Sequence, residues 1–337
     1  MPLCRFCDTV DPYWWPTVGD IRKVLGKRER KEQYVMARVV TNKKAHESRF
    51  KTRTSRSVET PDVELPTERR TVSKAFEDFH TLIHGEKKTG KTLLADASES
   101  GVETFFAQFD PPQKAYNLYE HYCPDYATFL AVLEKLEEAS KGSKKFPFHR
   151  CAVDGIDLMY HECMKWVCKR HGVVHPSEGD YGDVWSALRH EFTGSIRRLM
   201  ALPCGVWFIC HSVWKETKDR HTGVRDERLV PAMTSTAEEI VNGLVDATFA
   251  IDWHGKQRIL ILQGDQQVAA GHRMDRPNNK HFRDRVTGEP LEEITLGKTV
   301  KQGYQNLLDA YNNQYHLKEK KESDKPKVEF KFKKKGK

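Results

Sequence analysis

The sequence predicts an α/β fold built around a largely parallel central sheet. From about residue 72, short apolar segments typical of buried strands alternate with longer segments of helical spacing. The first of these apolar segments runs into a glycine loop that opens a helix. Alternation of this kind is the pattern of strand–helix–strand units, whose strands lie parallel and are covered by helices on both faces.

The predicted strands and helices follow one another in chain order. Phe129, Leu133 and Leu136, for example, share one helix face because they are three or four positions apart. The predicted helices are Lys91–Ser98, Tyr126–Ser140, Ile156–His171 and Val184–Leu202. The predicted strands are Thr81–His84, Thr104–Ala107, Phe148–Val153, Gly205–Cys210, Ala247–Asp252 and Arg258–Leu262, the last two forming a hairpin around His254-Gly255.

Charge and composition divide the chain into three parts. Residues 1–70 form a basic extension with a net charge of +6 and little periodicity. Residues 318–337 form a lysine-rich tail, also +6, which we expect to be disordered. The body between them, residues 71–317, carries a net charge of −4. Basic ends favour a polyanion such as nucleic acid, although two solvated tails would have the same composition.

Targeting and cysteine patterns point to a reducing compartment. No apolar run approaches the roughly 20 residues that span a bilayer, and the N-terminus lacks the apolar stretch of a secretion signal. Several of the eight cysteines, such as Cys151 and Cys210, lie within apolar segments. We therefore expect reduced thiols and a soluble, cytoplasmic protein. Cys4 and Cys7 have the spacing of half a zinc site, but no second cysteine pair lies near them.

A phosphate-binding loop carries the clearest chemical signal. Residues 85–92 read GEKKTGKT and fit the P-loop pattern G-x-x-x-x-G-K-[ST] between a strand and a helix. Backbone N–H groups of such a loop wrap phosphates. We expect Lys91 to neutralise the β- and γ-phosphates of ATP and Thr92 to hold Mg²⁺. The predicted nucleotide-binding residues are Gly85, Glu86, Lys87, Lys88, Thr89, Gly90, Lys91, Thr92 and Leu93.

A second magnesium contact is predicted at the end of a buried strand. Asp154 directly follows Arg150–Val153, the position of a Walker-B aspartate beside a P-loop. Asp157 is the alternative, but an acid there also suits the first turn of the following helix.

Two further polar residues follow predicted strands at the same edge. Asp110 comes after the second strand, where a carboxylate could orient or activate the attacking water. It also precedes Pro111-Pro112, so a turn residue is the alternative. His211 ends the strand Gly205–Cys210 and could reach the γ-phosphate and respond to its loss; a strand-end histidine with a local hydrogen bond would look the same.

The order of these motifs resembles the RecA-like P-loop ATPase core. Within that superfamily, residues 104–115, 151–175, 181–185, 205–212 and 239–246 resemble phage-encoded RecA-like ATP-binding proteins, which are similar to single-strand-annealing-associated ATPases. The resemblance spans roughly residues 72–310. It implies a role on single-stranded DNA in phage recombination or replication, with other phage proteins as partners, in the host cytoplasm. The family usually has Glu where this chain has Asp110.

The resemblance also implies an arginine supplied by a neighbouring copy in a homo-oligomer. Arg273 is the candidate, and Arg283 and Arg285 compete with it. It further implies a DNA-facing loop after His211, where backbone-tracking cations would give sequence-tolerant binding. The acids within that loop keep its net charge small, so a solvated mobile loop is the alternative. The cations are Lys215, Lys218, Arg220, Arg225 and Arg228.

The functional prediction is therefore an ATPase that acts on single-stranded DNA with ATP and Mg²⁺. Two other classes stay open. A nucleotide-binding adaptor with little hydrolysis is compatible with Asp110, because its side chain is one methylene shorter than Glu. A nucleotide kinase would need an arginine-rich lid, and the sequence shows no segment that fits one.

Overall fold

The computed structural model of the protein describes residues 65–69, 71–112, 114–142, 145–218, 225–276 and 279–316. The chain divides into two units, Met1–Arg70 and Thr71–Lys337, and the fold described below belongs to the second. The predictions for Cys4 and Cys7 and for the lysine-rich tail lie outside the described residues.

Twelve strands form two sheets within the described residues. Their bounds are β1 (Thr81–Gly85), β2 (Thr104–Gln108), β3 (Tyr119–Tyr122), β4 (Arg150–Asp154), β5 (Gly205–Lys218), β6 (Arg225–Pro231), β7 (Ala247–His254), β8 (Gln257–Ile261), β9 (Gly271–His272), β10 (Asp275–Arg276), β11 (Asn279–Lys280) and β12 (Glu293–Thr295). The large sheet has the order β12-β8-β7-β1-β5-β4-β2-β3, with β6 paired to β5 and β9 paired to β7. Strands β10 and β11 form a separate two-stranded ribbon.

The centre of the large sheet is parallel. Strands β7, β1, β5, β4, β2 and β3 pair in parallel, whereas β8, β12, β6 and β9 add on antiparallel. Every residue of β1 and β4 is buried, as expected for parallel strands covered on both faces. The prediction of a largely parallel α/β sheet is confirmed. The parallel arrangement brings the carboxyl ends of β1, β2 and β4 to one edge of the sheet, beside His211 in the middle of β5.

Helices cover both faces of this sheet. Alternate residues of each strand enter different cores, because side chains of a strand point to opposite faces. Leu82, Val153 and Phe208 pack with α2 to α5, whereas Ile83 and Trp207 pack with α1 and α6. The helices are α1 (Lys91–Asp96), α2 (Tyr126–Lys141), α3 (Ile156–His171), α4 (Asp183–Met200), α5 (Ser235–Leu244) and α6 (Val300–Tyr311).

The segment after His211 corrects one prediction. We predicted that the strand ends at Cys210 and that a solvated mobile loop is one possibility beyond it. Instead, β5 continues to Lys218 and pairs antiparallel with β6, from Ser212 opposite Pro231 to Lys218 opposite Arg225. The loop prediction is wrong for the described part of this segment, because the polar residues lie on a hairpin whose backbone groups are paired.

Smaller differences concern the ends of elements. Helix α1 stops at Asp96 rather than Ser98, because Ala97 adopts a left-handed conformation with φ 49° and a short 3-10 helix, Ser98–Ser100, follows. No sequence-based prediction covers β3, β6, α5, α6 or the short strands β9 to β12. None of the described helices combines the length and the apolar character that a membrane span requires.

Candidate nucleotide-binding site

The P-loop, residues 85–92, lies at the edge of the sheet between the two central strands β5 and β7. Gly85 ends β1 opposite His211 on one side and Ile251 on the other. A Cβ atom on Gly85 would lie 2.7 Å from the backbone oxygen of Ile251, so a side chain would push the strands apart. Gly90 has φ 91°, a conformation that favours glycine, and it immediately precedes α1. Both glycines are therefore required by the backbone.

Lys91 folds back over the loop that precedes it. Its Nζ donates to the carbonyl oxygens of Gly85 at 2.9 Å and Glu86 at 2.8 Å, and only 6% of the residue is exposed. Burial lowers the pKa of the Lys91 ammonium, and nearby carboxylates, chiefly Asp154, oppose that shift. A charged phosphate oxygen would bind this ammonium more strongly than the neutral carbonyl oxygens do.

Thr92 and Asp154 meet directly, although 62 positions separate them in the chain. The Thr92 hydroxyl donates to Asp154 Oδ2 at 2.7 Å. Asp154 ends β4 and is 8% exposed; burial raises its pKa and the nearby Asp110 adds to the shift, while the Thr92 hydrogen bond opposes it. Hydroxyl and carboxylate oxygens are the hard ligands that Mg²⁺ takes, commonly with one or two carboxylates plus substrate phosphates. The donor set therefore fits a magnesium ion.

Asp110, Asp157 and His211 surround the same point. Burial lowers the pKa of His211 and the Lys91 charge lowers it further, whereas Asp157 and Asp110 oppose the shift. Burial raises the pKa of Asp157, which lies in the first turn of α3. The His211 Nδ1 and Asp157 Oδ1 atoms are buried and have no hydrogen-bond partner among the residues that the structure describes. Unsatisfied buried polar atoms are costly and mark a site where a ligand or water completes the bonding.

Comparison with known proteins agrees with this arrangement. A family model described as an AAA domain matches residues 78–274, which include all of the side chains described above. The chain belongs to this AAA-domain family. No curated protein matches the chain. Similar solved structures include a KaiC-like protein from the hyperthermophilic archaeon Pyrococcus horikoshii OT3. It is 12% identical over 58% of this chain and 82% of that chain, with a TM-score of 0.32, too low to add to the assignment.

The AAA-domain family and the parallel sheet together give a RecA-like P-loop ATPase fold. Within it, the structure brings four predicted residues together at one edge of the sheet: Lys91, Asp110, Asp154 and His211. Between the two predicted candidates for the magnesium contact, Asp154 is the one bonded to Thr92. The catalytic roles of these residues stay predictions.

Arg273 lies elsewhere in the AAA domain. It directly follows β9, which pairs with Ala247 and Thr248 at the beginning of β7, and β7 begins at the sheet edge opposite the P-loop. The Arg273 guanidinium donates to the carbonyl of Gly243 at 2.9 Å. Its competitor Arg283 forms an ion pair with Asp275 at 2.7 Å. The structure therefore does not bring Arg273 to the P-loop of its own chain, and its action on a neighbouring copy stays a prediction.

The predicted DNA-facing cations that the structure describes lie on the β5–β6 hairpin, where several have partners. Lys215 forms an ion pair with Glu238 at 3.3 Å, and Arg225 pairs with Glu216 at 3.0 Å. Arg228 donates to the carbonyl of Asp265 at 3.3 Å. The side chain of Lys218 and the whole of Arg220 lie outside the described residues.

Two residues that the sequence analysis did not select also reach the site. Arg258 on β8 donates from Nη1 to the P-loop carbonyl of Thr89 at 3.3 Å. Its only signal in the sequence is its position in a hairpin. His84 precedes the P-loop glycine and is fully buried; its Nε2 lies 2.6 Å from the carbonyl of Ala269 and its Nδ1 lies 2.8 Å from Ser212 Oγ. Burial lowers the pKa of His84 to about 4.

The bonding of His84 defines its tautomer. A carbonyl oxygen can only accept, so Nε2 carries the proton and Nδ1 accepts from the Ser212 hydroxyl. The neutral imidazole thereby links the P-loop strand to the start of the β5–β6 hairpin. Ala269 in turn donates its N–H to the carbonyl of Leu229 on β6. Both arms of the hairpin are connected to His84.

Proposed function

We propose that this protein binds and hydrolyses ATP with Mg²⁺ and couples hydrolysis to single-stranded DNA, in phage recombination or replication. The observation that carries the proposal is the hydrogen bond from Thr92 to Asp154 beside the buried cation Lys91. The contact between the end of β4 and the beginning of α1 supports a hard-metal ligand set beside a phosphate-binding ammonium.

Lys91, Thr92 and Asp154 have different proposed roles in nucleotide binding. Lys91 leaves the carbonyls of Gly85 and Glu86 for the β- and γ-phosphate oxygens, and backbone N–H groups of the loop complete the cradle. Thr92 and Asp154 would hold Mg²⁺, which neutralises phosphate charge when bound. Burial of this region excludes water and strengthens each of these interactions.

Asp110 is the proposed group that orients the attacking water. Its charge acts on Lys91, Asp154 and His211, so it lies within the same cluster. A water-orienting carboxylate acts mainly in the transition state. Asp110→Asn should therefore lower turnover about a hundredfold and leave ATP affinity within about threefold. Equal loss of affinity and turnover would assign Asp110 to the turn before Pro111.

The β5–β6 hairpin is the proposed DNA contact. Its pairing begins at Ser212, directly after His211, so the histidine proposed to face the γ-phosphate and the base of the hairpin share one strand. Trp214 on that hairpin is half exposed, and aromatic side chains beside cations bind single strands by stacking and charge. The ion pair of Lys215 with Glu238 connects the hairpin to α5, whereas that of Arg225 with Glu216 lies within the hairpin, and phosphates can compete for both cations.

An ATPase assay with and without a single-stranded oligonucleotide tests the whole proposal. The oligonucleotide should stimulate turnover in the wild type, whereas Lys91→Ala should show no turnover. DNA affinity should fall steeply as the salt concentration rises. Tight ATP binding without turnover would support the adaptor, for which the short Asp110 carboxylate is the favouring observation. Failure to bind DNA at low salt would remove the DNA part and leave the ATPase part standing.

A further inference from the structure

The order of strands indicates where the base of a bound nucleotide points. Strands β5, β4 and β2, which carry His211, Asp154 and the approach to Asp110, all lie on one side of β1. Those residues surround the γ-phosphate end of the site. The P-loop follows β1, and on its other side lie β7 and β8. The ribose and base of a nucleotide on this loop therefore extend toward the β7–β8 hairpin.

An aromatic and a cationic side chain lie on the β7–β8 hairpin, on the face of the sheet that α1 covers. Trp253 and Arg258 are register partners across the hairpin, so their side chains share a face. Phe249 and Ile251, four and two positions before Trp253, pack in the same core as α1. Leu260, two positions after Arg258, belongs to that core as well. The alternation of strands therefore places Trp253 and Arg258 on the α1 side, beyond the end of the core.

Arg258 is already tethered to the P-loop. Its Nη1 donates to the carbonyl of Thr89 at 3.3 Å, and the same atom lies 2.6 Å from the position a Cβ would take on Gly90. No ion pair of Arg258 is found in the described part of the chain. Beside it, Trp253 is 47% exposed, a large apolar ring left open to solvent.

We propose that Trp253 and Arg258 form the base-binding subsite of the nucleotide and that it favours purines. This inference rests on the proposed nucleotide-binding function. An indole ring and a guanidinium plane both stack on the faces of nucleobases, and a larger base offers more area to stack. The tether to Thr89 holds the guanidinium plane beside the loop before the ligand arrives. Stacking reads the face of a base and not its edge, so the subsite prefers ATP and GTP over CTP and UTP without separating ATP from GTP.

Titration of the full-length protein with three ligands tests the subsite. The ligands are ATP, CTP and inorganic tripolyphosphate, which has the phosphates without a base. Trp253→Ala should weaken ATP binding about tenfold and leave tripolyphosphate binding unchanged. Arg258→Gln should weaken ATP binding more than it weakens tripolyphosphate binding. Trp185→Ala is the matched control, because Trp185 is 41% exposed and lies on α4; it should bind all three ligands as the wild type does.

Each result has a defined meaning. ATP bound more tightly than CTP and tripolyphosphate by the wild type, with the preference lost in Trp253→Ala, supports the subsite. Equal affinity of Trp253→Ala and the wild type for ATP, in variants with unchanged thermal unfolding, overturns it while the proposed ATP binding stands. A wild type that binds neither ATP nor tripolyphosphate overturns the proposed function and the subsite together.

Discussion

Two buried cations at opposite edges of the sheet are held in different ways. Within the described part of the chain, Lys91 at the P-loop edge is bonded only to backbone carbonyls of its own loop, and it lies among carboxylates. Arg150 begins β4 at the other edge and is fully buried. Its guanidinium carbon lies 3.9 Å from the centre of the Trp207 ring, and the group donates to the Ala95 carbonyl and the Tyr304 hydroxyl.

The difference shows how one fold uses buried charge for two purposes. Arg150 has partners from three separate segments, so its removal breaks contacts that hold α1, β4 and α6 together. Lys91 has partners that a phosphate can replace, so its removal mainly weakens ligand binding. The same substitution to methionine, which keeps an unbranched apolar stem without the charge, separates the two roles.

The largest expected effect is on ligand binding by Lys91→Met. Two charge-assisted hydrogen bonds to phosphate are lost, each worth about 1.5–3 kcal/mol, so ATP affinity should fall about a thousandfold. The free energy of unfolding should stay the same or rise, because the folded state no longer buries a charge whose pKa burial lowers. Isothermal titration and urea unfolding measure the two quantities. A loss of stability larger than the loss of binding would contradict the comparison.

Arg150→Met should show the opposite pattern. The stacked contact with Trp207 and both hydrogen bonds are lost, and unfolding should become easier by about 2–4 kcal/mol after the relief of charge burial. ATP affinity of the folded fraction should change less than about threefold. Urea unfolding with parallel nucleotide titration decides this. Unchanged stability would mean that the surrounding apolar groups replace the cation without cost.

His84 extends the comparison to a basic group that the fold keeps neutral. Its pKa is lowered from 6.5 to about 4, so the unfolded chain takes up a proton below about pH 6.5 that the folded chain refuses. Stability contributed by His84 is complete above that pH and is lost as the pH falls toward 4, by about 3 kcal/mol in total. His84→Gln should flatten this part of the pH profile of unfolding. The exposed residue His171, changed to Gln, is the control and should leave the profile as it is.

The smallest effect is expected from Tyr304→Phe. The Tyr304 hydroxyl accepts from Arg150 and donates to Glu77 at 2.9 Å. Its loss should cost about 1–2 kcal/mol of unfolding free energy. The double variant with Arg150→Met should lose less unfolding free energy than the sum of the two single losses, because both changes remove the same hydrogen bond. Strict additivity would show that the two residues act independently.

Much of the site could be predicted because its residues are close to local signals. The P-loop is a continuous motif, and Asp154 ends a recognisable apolar strand. In a parallel sheet the carboxyl ends of these strands lie at the same edge. The sequence pattern therefore predicts that Thr92 and Asp154 lie near each other. The hairpin after His211 could not be predicted in the same way, because its charged residues resemble a solvated loop until β6 supplies the pairing.

Arg150 and Arg258 show why other contacts could not be predicted from the sequence. Arg150 begins a predicted apolar strand, but nothing local identifies its partner Tyr304, which lies 154 positions later. Arg258 reaches the P-loop only because β8 folds back on β7, which itself pairs with β1. Each position depends on tertiary pairing that no local spacing encodes.

The continuity of β5 has a mechanical consequence. The strand is 14 residues long, and the part from His211 to Lys218 spans about 23 Å at about 3.3 Å per residue. The first half of the strand pairs with β1 and β4, and from Ser212 onward it pairs with β6. One continuous strand therefore runs from the centre of the sheet, past the P-loop, into the β5–β6 hairpin. A tilt of about 5° at His211 would displace the far end of the strand by about 2 Å.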